Sequence, residues 1–510
     1  MRPLRKNSIL FSFTLVLLIL GLQGPAFGQA GVYAEKKFVF DYLSQAEQFQ
    51  KFAKISDAIW SYAELGLQEH KTAKLMIETM EKAGFKVEKG LAGMPTCYVA
   101  SYGSGKPVIG ILAEFDALPM LSQKGLVPKQ DPVIAGAPGH GCGHNQMGSA
   151  SMAAAIAVKE AMVKYGLKGT IKLFGSPAEE TLISRPYMVR AGLFKDVDAV
   201  IDNHADSVFD SGYGITGTAM YSTIFTFKGK TAHAGLQPWD GRSALDAVEL
   251  MNVAVNMMRE HLFYTNRTHY VITEGGEAPN VIPDKASVWY FVRNSDDKVE
   301  SDHERIINAA KGAALATGTQ LTQVRVLTGI HQKYSNKAAA ELFQKNIDLV
   351  GMPKWTDEEQ AFAKALQKEL GRPEVGLSTQ VGKITLPPAV FVGGGSTDVG
   401  DVSLVAPLAT IRFPGRVPGA INHHWSTTAG NFGSIAWKAL NYGAKAIAAS
   451  AIDLMTQPGE LQKLRAEFEE TTKKYPYKSY LLPDSTPPLE MYDELMAKFR
   501  PQMEKFYLQP

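Results

Sequence analysis

Residues 137–146 read APGHGCGHNQ and run directly into the Ala-rich apolar stretch MGSASMAAAIAVKEAMVKY, residues 147–165. A glycine-rich loop that feeds a long apolar helix is a mark of α/β architecture, and the flanking segments extend it. Upstream, TCYVASY (96–102) and KPVIGILAEFDALP (106–119) are short β-rich runs broken by Gly and Pro. Downstream, GTIKLFGSPAEE (169–180) and VDAVIDNHAD (197–206) are each a buried strand ending in a loop. Buried strands alternating with helices predict a mostly parallel sheet flanked by helices. Before this block, apolar residues recur at helical spacing from Phe38 to Met80, and EKAGFKVEKG predicts a helix end at Gly84 running into a strand.

A different pattern begins near Thr218. YSTIFTFKG alternates like a strand, Ser243 to His261 is helical, THYVITEGG and ASVWYFVRN pair as strands, residues 299–317 are helical, and QLTQVRVLTG closes the unit. This β-α-β-β-α-β order predicts a ferredoxin-like α+β domain inserted into the first. The α/β pattern then resumes with a helix from Ala338 to Val350 and a strand at PAVFVGGGS (388–396). The predicted organisation is a leader over 1–30, a catalytic metal-binding domain over 31–217 and 331–456, a lid over 218–330, and a C-terminal helical extension over 457–510.

The bulk composition narrows the function. A chain of 510 residues with 45% hydrophobic content is too long for one compact core. Its 53 basic and 51 acidic residues are spread along the whole length, with no basic stripe for phosphates, so nucleic acid is not an expected partner. Arg2, Arg5 and Lys6 precede an apolar run from Ile9 to Leu22, followed by Gly24, Pro25 and the small residues Ala26, Gly28 and Ala30. That is the order of a secretory signal peptide, and the run is shorter than the roughly 20 apolar residues of a spanning helix. The expected mature protein starts near Gln29 or Gly31, is exported to the periplasm or secreted, and keeps no stable membrane anchor. Two cysteines make no disulfide framework. Cys97 reads as a small buried hydrophobe; Cys142 does not.

Cys142 and His144 stand two apart in the glycine loop, and thiolate and imidazole together suit zinc or a manganese-like ion. Taken singly, this pair also reads as a buried cysteine beside a loop histidine. Glu179 and Glu180 end one strand-loop and His204 the next, with Asp202 and Asp206 near enough to orient its ring. Asn422, His423 and His424 follow a later Gly/Pro-rich stretch. All lie where an open α/β sheet puts its active site, at the carboxyl ends of strands.

In order, HGCGHN, SPAEE, DNHAD, GKTAHAG, NVIPD, GGGSTDVGDVS and the late histidine pair resemble the motifs of the aminoacylase and carboxypeptidase family of co-catalytic metallopeptidases. AEFDALPMLSQ and PGHGCGHN make the aminobenzoyl-glutamate hydrolase group the most similar branch. The resemblance covers residues 40–450. It implies two divalent ions, Zn2+ or Mn2+, held by Cys142, His144, Glu180, His204 and His423, the last favoured over His424. It implies Glu179 as general acid/base and His233, on the lid, as an oxyanion-stabilising residue that reaches the partner subunit's active site, so that a homodimer through the lid is part of the mechanism. Asn280 is the implied substrate-positioning residue; the glycine-rich turn from Gly393 to Thr397, with Gly394 and Ser396, offers backbone N–H groups suited to a substrate carboxylate, and Arg293 reads either as a partner for that carboxylate or as a surface arginine of a lid strand.

The sequence departs from this pattern in two places. Glu114-Phe115-Asp116 stands where many relatives carry a His-x-Asp pair, and Asn145 stands where much of the cysteine branch has Asp. A neutral amide does not bridge two cations as a carboxylate does, so Cys142 or Glu180 is the expected bridge; His140 is read as lying behind the ligands. The implied activity is hydrolysis of the amide of an N-acyl or N-aroyl amino acid. A dipeptidase acting on a free amino terminus and a solute-binding or regulatory homologue without catalysis are the rival readings.

Overall fold

The computed structural model describes residues 27–388 and 394–510. Most of the predicted leader (1–26) and the centre of the strand predicted at 388–396 lie outside the described residues. In chain order the strands are β1 (Lys86–Lys89), β2 (Tyr98–Ser104), β3 (Val108–Glu114), β4 (Gly169–Ser176), β5 (Ala199–Ala205), β6 (Asp210–Gly212), β7 (Gly214–Ile215), β8 (Ala219–Lys228), β9 (Arg267–Glu274), β10 (Lys285–Asn294), β11 (Gln320–Ile330), β12 (Tyr334–Ser335) and β13 (Leu408–Phe413).

Seven of them form one sheet in the order β1-β2-β4-β3-β5-β13-β6. The four central strands, β4, β3, β5 and β13, run parallel, and the outer ones are antiparallel. β3 is buried along its whole length because helices cover both faces of the sheet. Its alternate residues divide accordingly. Ile109, Ile111 and Ala113 join the core with the helices His144–Tyr165 and Gly433–Thr456, and Val108 and Leu112 join the opposite core with Tyr187, Phe194 and Val402. Cys97 is buried and free. No helix among the described residues is long and apolar enough to cross a membrane.

The second sheet has the order β11-β8-β10-β9 with every neighbouring pair antiparallel, the arrangement of a split β-α-β-β-α-β unit. Its helices, Ala244–Met258 and Asp296–Thr317, pack on one face through Val248, Met251, Ile306 and Ala310 against Phe225, Val288 and Tyr290. The first helix starts where the Ser243 hydroxyl accepts the N–H of Asp246 at 3.1 Å, a serine N-cap.

One feature differs from the sequence expectation. The last parallel strand of the large sheet is LATIRF, Leu408–Phe413, a run that was not expected to be a strand. Its buried residues, Leu408, Ala409, Ile411 and Phe413, are interrupted by Thr410 and Arg412, so the run has neither full apolarity nor clean alternation. The C-terminal segment, expected as a helical extension, is helical and packs onto the catalytic domain rather than standing apart from it. Leu464, on the helix Pro458–Lys474, is buried in the main core, and the helix Asp493–Met503 packs Phe499 and Met503 against Ala117 and Ala137 beside the glycine loop.

Candidate metal centre

Because β3, β4, β5 and β13 are parallel, their carboxyl ends open on one edge of the sheet. Glu114 is the last residue of β3, Glu179 and Glu180 follow β4, and His204 is next to the last residue of β5. The glycine loop folds under this edge and ends at Gly143, whose φ of 102° no side chain adopts readily and where a Cβ would come 2.8 Å from that of Ala205. The next residue, His144, starts the long helix. Ala178 (φ 52°), Leu182 (φ 61°) and His423 (φ 53°) are also left-handed. Each costs on the order of 1–2 kcal/mol for a non-glycine residue. This strain brackets the glutamate pair and the late histidine.

The donor atoms converge as two triads that share Cys142. Cys142, His144 and His204 form one, and Cys142, Glu180 and His423 the other, with the ligand atoms of each triad within 4.8 Å of one another. The Cys142 sulfur is 3.4 Å from His204 Nε2, and His423 Nε2 is 3.3 Å from Glu180 Oε2. A third group, Glu114, His144 and Glu179, overlaps the first triad. Of the tandem histidines only His423 joins the cluster; His424 accepts the N–H of Ser426 and caps the helix Trp425–Gly430.

The rings are aimed by their other nitrogens. His144 Nδ1 lies 2.9 Å from Asp116 Oδ1, while the second oxygen of Asp116 accepts the Glu180 N–H at 2.9 Å. One buried carboxylate therefore orients two ligands. Burial opposes its charge, but His144 and the Glu180 N–H outweigh it and hold Asp116 below the usual carboxylate range. His204 Nδ1 donates to the Ala205 carbonyl at 2.8 Å, which leaves Nε2 as the lone-pair nitrogen. This corrects the expected orienters: Asp202 is paired with Lys333 at 2.5 Å, and Asp206 with Arg416 at 2.5 Å. Asp116→Asn is expected to weaken metal binding about 10–100-fold with the fold intact. Equilibrium dialysis against a graded chelator measures it, and unchanged affinity would remove the orienting role.

The residues fit a pair of divalent cations. His144 Nε2, Glu114 Oε2 and Glu180 Oε1 are buried atoms without a hydrogen-bond partner, all at the centre of the cluster. Unscreened, these groups disturb one another. Burial pushes the Cys142 thiol up to about 12 and the Glu180 carboxyl up to about 8, and it lowers His204 to about 4. Glu179 is raised well above its ordinary value by burial and then by Glu114. Cations in the two triads would relieve this crowding by favouring the thiolate and both carboxylates.

The cluster faces a cavity of about 550 Å3. Three cations line it. Lys333 is held by Asp202 and Thr410, and Arg412 by Asp210 at 2.7 Å. Arg293, reaching in from the lid strand β10, has no ion pair among the described residues, and its buried Nε has no partner. Ser396 also lines the cavity, its hydroxyl 2.7 Å from that of Thr218, but Gly394 is not among the lining residues. The carbonyl of Gly395 accepts the Thr218 N–H at 3.0 Å, so this turn is tied to the base of the lid.

His233 and Asn280 are together on an exposed part of the lid, where the Ala234 N–H donates to the Asn280 carbonyl at 3.1 Å. Neither lines the metal cavity of its own chain. His233 Nδ1 accepts from the N–H groups of Gly235 and Leu236 at 3.1 Å, which leaves Nε2 free of that turn. Asn145 is anchored through its amide nitrogen, which donates to the Ser56 hydroxyl and the Asn431 carbonyl. His140 bonds the Ile59 carbonyl at 3.0 Å and supports the loop.

Arg185 lies in no motif of the sequence yet sits beside the cluster. It is fully buried, donates to Glu114 Oε1 at 2.8 Å, and pairs with Asp398. The acidic pattern around it, Glu114 after a β-run and Asp398 in the glycine-rich motif, was the only available signal.

Comparison with known proteins agrees with this geometry. Residues 217–317 match the family model described as a peptidase dimerisation domain. The chain is 34% identical over 465 residues to one of the subunits of the p-aminobenzoyl-glutamate hydrolase of Escherichia coli strain K12, covering 86% of this chain and 96% of that protein. Among solved structures, an aminobenzoyl-glutamate utilization protein from Klebsiella pneumoniae has the same fold at a TM-score of 0.54 and 17% identity, covering 81% of this chain and 97% of that one. A dinuclear metal binding peptidase of the M20 family from Bacillus subtilis aligns at a TM-score of 0.51 and 18% identity, covering 80% and 98%. With its parallel sheet, inserted dimerisation domain and clustered donors, the chain belongs to the M20 family of metallopeptidase-like amidohydrolases.

Proposed function

We propose that the protein is an exported, dimeric amidohydrolase that cleaves the amide bond of an N-acyl or N-aroyl amino acid, of the p-aminobenzoyl-glutamate kind, with two zinc or manganese ions. The observation that carries this reading is the pair of triads sharing Cys142, with Glu179 beside them and, lining the same cavity, Arg293, which has no ion pair among the described residues. When bound, the two ions lower the pKa of a water toward neutrality and polarise the amide carbonyl.

The chain's own groups do the rest. Glu179 removes a proton from the attacking water as the new C–O bond forms. It returns that proton to the departing nitrogen as the C–N bond breaks, so one carboxyl serves as base and then acid. Arg293 pairs with the free carboxylate of the substrate, and Ser396 borders the same space. A cation there favours a carboxylate over the ammonium that a dipeptidase would have to seat. In a homodimer formed through the lids, His233 of the partner subunit would supply the hydrogen bond to the oxyanion.

Metal content per chain, and release of free amino acid from a panel of N-acyl and N-aroyl amino acids and dipeptides before and after chelation, test this together. Close to two ions and chelator-sensitive release from the acyl substrates support it; metal-free protein that stays inactive with restored zinc or manganese refutes it. Arg293→Met is expected to raise KM for these substrates by about 10–100-fold, the worth of a charged hydrogen bond, with kcat changed far less. An equal KM in the variant would take the carboxylate away from Arg293. Export is tested by fractionating cells that express the full chain and sequencing the mature N-terminus.

A further inference from the structure

The chain crosses between its two domains at 216–218 and 331–333. There the Thr216 N–H donates to the Lys333 carbonyl at 3.0 Å, and the Gln332 amide reaches the Gly217 carbonyl at 3.4 Å. The irregular C-terminal stretch 477–490 lies across this hinge and holds both sides. On the catalytic domain, Tyr477 donates to Asp401 at 3.0 Å, Arg190 donates to the carbonyls of Leu482 (3.1 Å) and Ser485 (2.6 Å), and Leu481 is buried in the core. On the lid, Lys478 pairs with Glu300 at 2.9 Å, Arg325 with Glu490 at 2.5 Å, and the buried ring of Tyr480 packs against Tyr221.

His331 is at the centre. It is 4% exposed and stacked on Tyr480 with ring centroids 4.1 Å apart. Its Nδ1 faces Asp296 Oδ1 at 2.9 Å, at the start of the lid helix Asp296–Thr317, and its Nε2 faces the Lys478 carbonyl at 2.7 Å. Both partners are acceptors, so the geometry favours a proton on each ring nitrogen, the imidazolium form.

We infer that residues 477–490 form a strap that fixes the lid against the catalytic domain, closed by His331 at the hinge, and that it thereby positions Arg293 over the metal cavity. His331 is a positioning residue, since it touches neither the cavity nor the donors. The groups that face it are the carboxylates of Asp296 and Asp401, with the Lys478–Glu300 pair beyond. The hydroxyls of Tyr334 and Tyr480 donate to Asp296, and that of Tyr477 donates to Asp401. Burial opposes the ring's charge, but Asp296 and Asp401 outweigh it and raise His331 above the ordinary imidazole value. The clip is therefore fully present below that ordinary value and is lost as pH climbs through the raised one.

Hydrogen exchange on the intact metal-loaded protein, corrected for the intrinsic pH dependence, tests this without needing a substrate. Wild-type protection of 216–218 and 329–334 should step down as pH rises through the His331 titration. In His331→Gln, whose one amide nitrogen can reach only one of the two acceptors, exchange there should be faster by ~10-fold or more and the step should vanish. Tyr480→Phe, which keeps the ring and loses one hydroxyl to Asp296, should loosen the same amides and retain the step; it also carries the test if the histidine variant does not fold. KM for carboxylate substrates should rise in both variants with kcat and metal content near wild type. Wild-type protection in either variant, or a step that persists in His331→Gln, overturns the inference. Because the exchange readout is independent of turnover, failure of the amidase reading leaves it standing or falling by itself.

Discussion

Glu179→Gln is expected to lower kcat by about 10^3-fold, within the range for removing a positioned general acid/base, while the protein keeps its fold and its two ions. Glu179, like Glu114, is a carboxylate beside the donors that belongs to neither triad sharing Cys142, so its loss leaves both sets of ligands whole. Its side chain is only 12% exposed, and its Oε2 is 3.8 Å from His144 Nε2. Burial first, and then Glu114, push its carboxyl well above the ordinary range. A base held that high is protonated at acid pH, so kcat/KM should fall as pH drops, and that acid limb should be missing from the glutamine variant. Glutamine retains shape and hydrogen bonding and cannot carry the proton from water to the leaving nitrogen. The measurement is single-turnover release of the free amino acid across a pH series, alongside metal content. Glutamine protein with wild-type turnover at full metal loading would show that another group handles the proton.

The part of this site that was legible in the sequence is the part carried by short local motifs. Cys142 and His144 share one glycine loop, Glu179 and Glu180 are adjacent, and His204 ends a strand, so residue type and spacing suffice to nominate them. Choosing between His423 and His424 required the resemblance, because two adjacent histidines in a loop have no periodicity to separate them; the backbone does so by putting His423 at φ 53° and using His424 as a helix cap. The orienting groups were not legible. Asp202 and Asp206 flank His204 in sequence and so were the natural candidates, yet the cations Lys333 and Arg416 engage them instead. The carboxylate that orients a ligand is Asp116, 28 residues before His144.

The lid was readable because strands and helices of a β-α-β-β-α-β unit alternate clearly along the chain, whereas β13 is short and broken by polar residues. The C-terminal segment was opaque for a related reason. Its role lies in contacts such as Tyr477 to Asp401 and Lys478 to Glu300, 76 and 178 positions apart, which leave no local pattern.

Arg185→Met is expected to destabilise the folded protein by about 3–5 kcal/mol, the cost of breaking a buried ion network by removing one partner. The guanidinium is fully buried between Glu114 and Asp398, with Oε1 of Glu114 at 2.8 Å, and methionine would leave two buried carboxylates with no cation between them. Even with Arg185 present, burial raises the Glu114 carboxyl to about 7 and raises Asp398. Without it both rise further. The folded variant then binds protons that the unfolded chain releases, so its deficit is greatest at high pH and shrinks as pH falls and the carboxyls become neutral. Urea unfolding at matched metal loading and several pH values measures this, and a loss below about 1 kcal/mol at all of them would show that the network is dispensable. The triple variant Arg185→Met, Glu114→Gln, Asp398→Asn removes the charges together and should recover much of the stability. It should not recover full activity, because Glu114 Oε2 is 3.3 Å from His144 Nε2 and a neutral amide changes the field at a metal donor. Recovery of folding without recovery of turnover would locate the reason for this buried network at the catalytic edge of the sheet, where an uncharged core would be the more stable alternative.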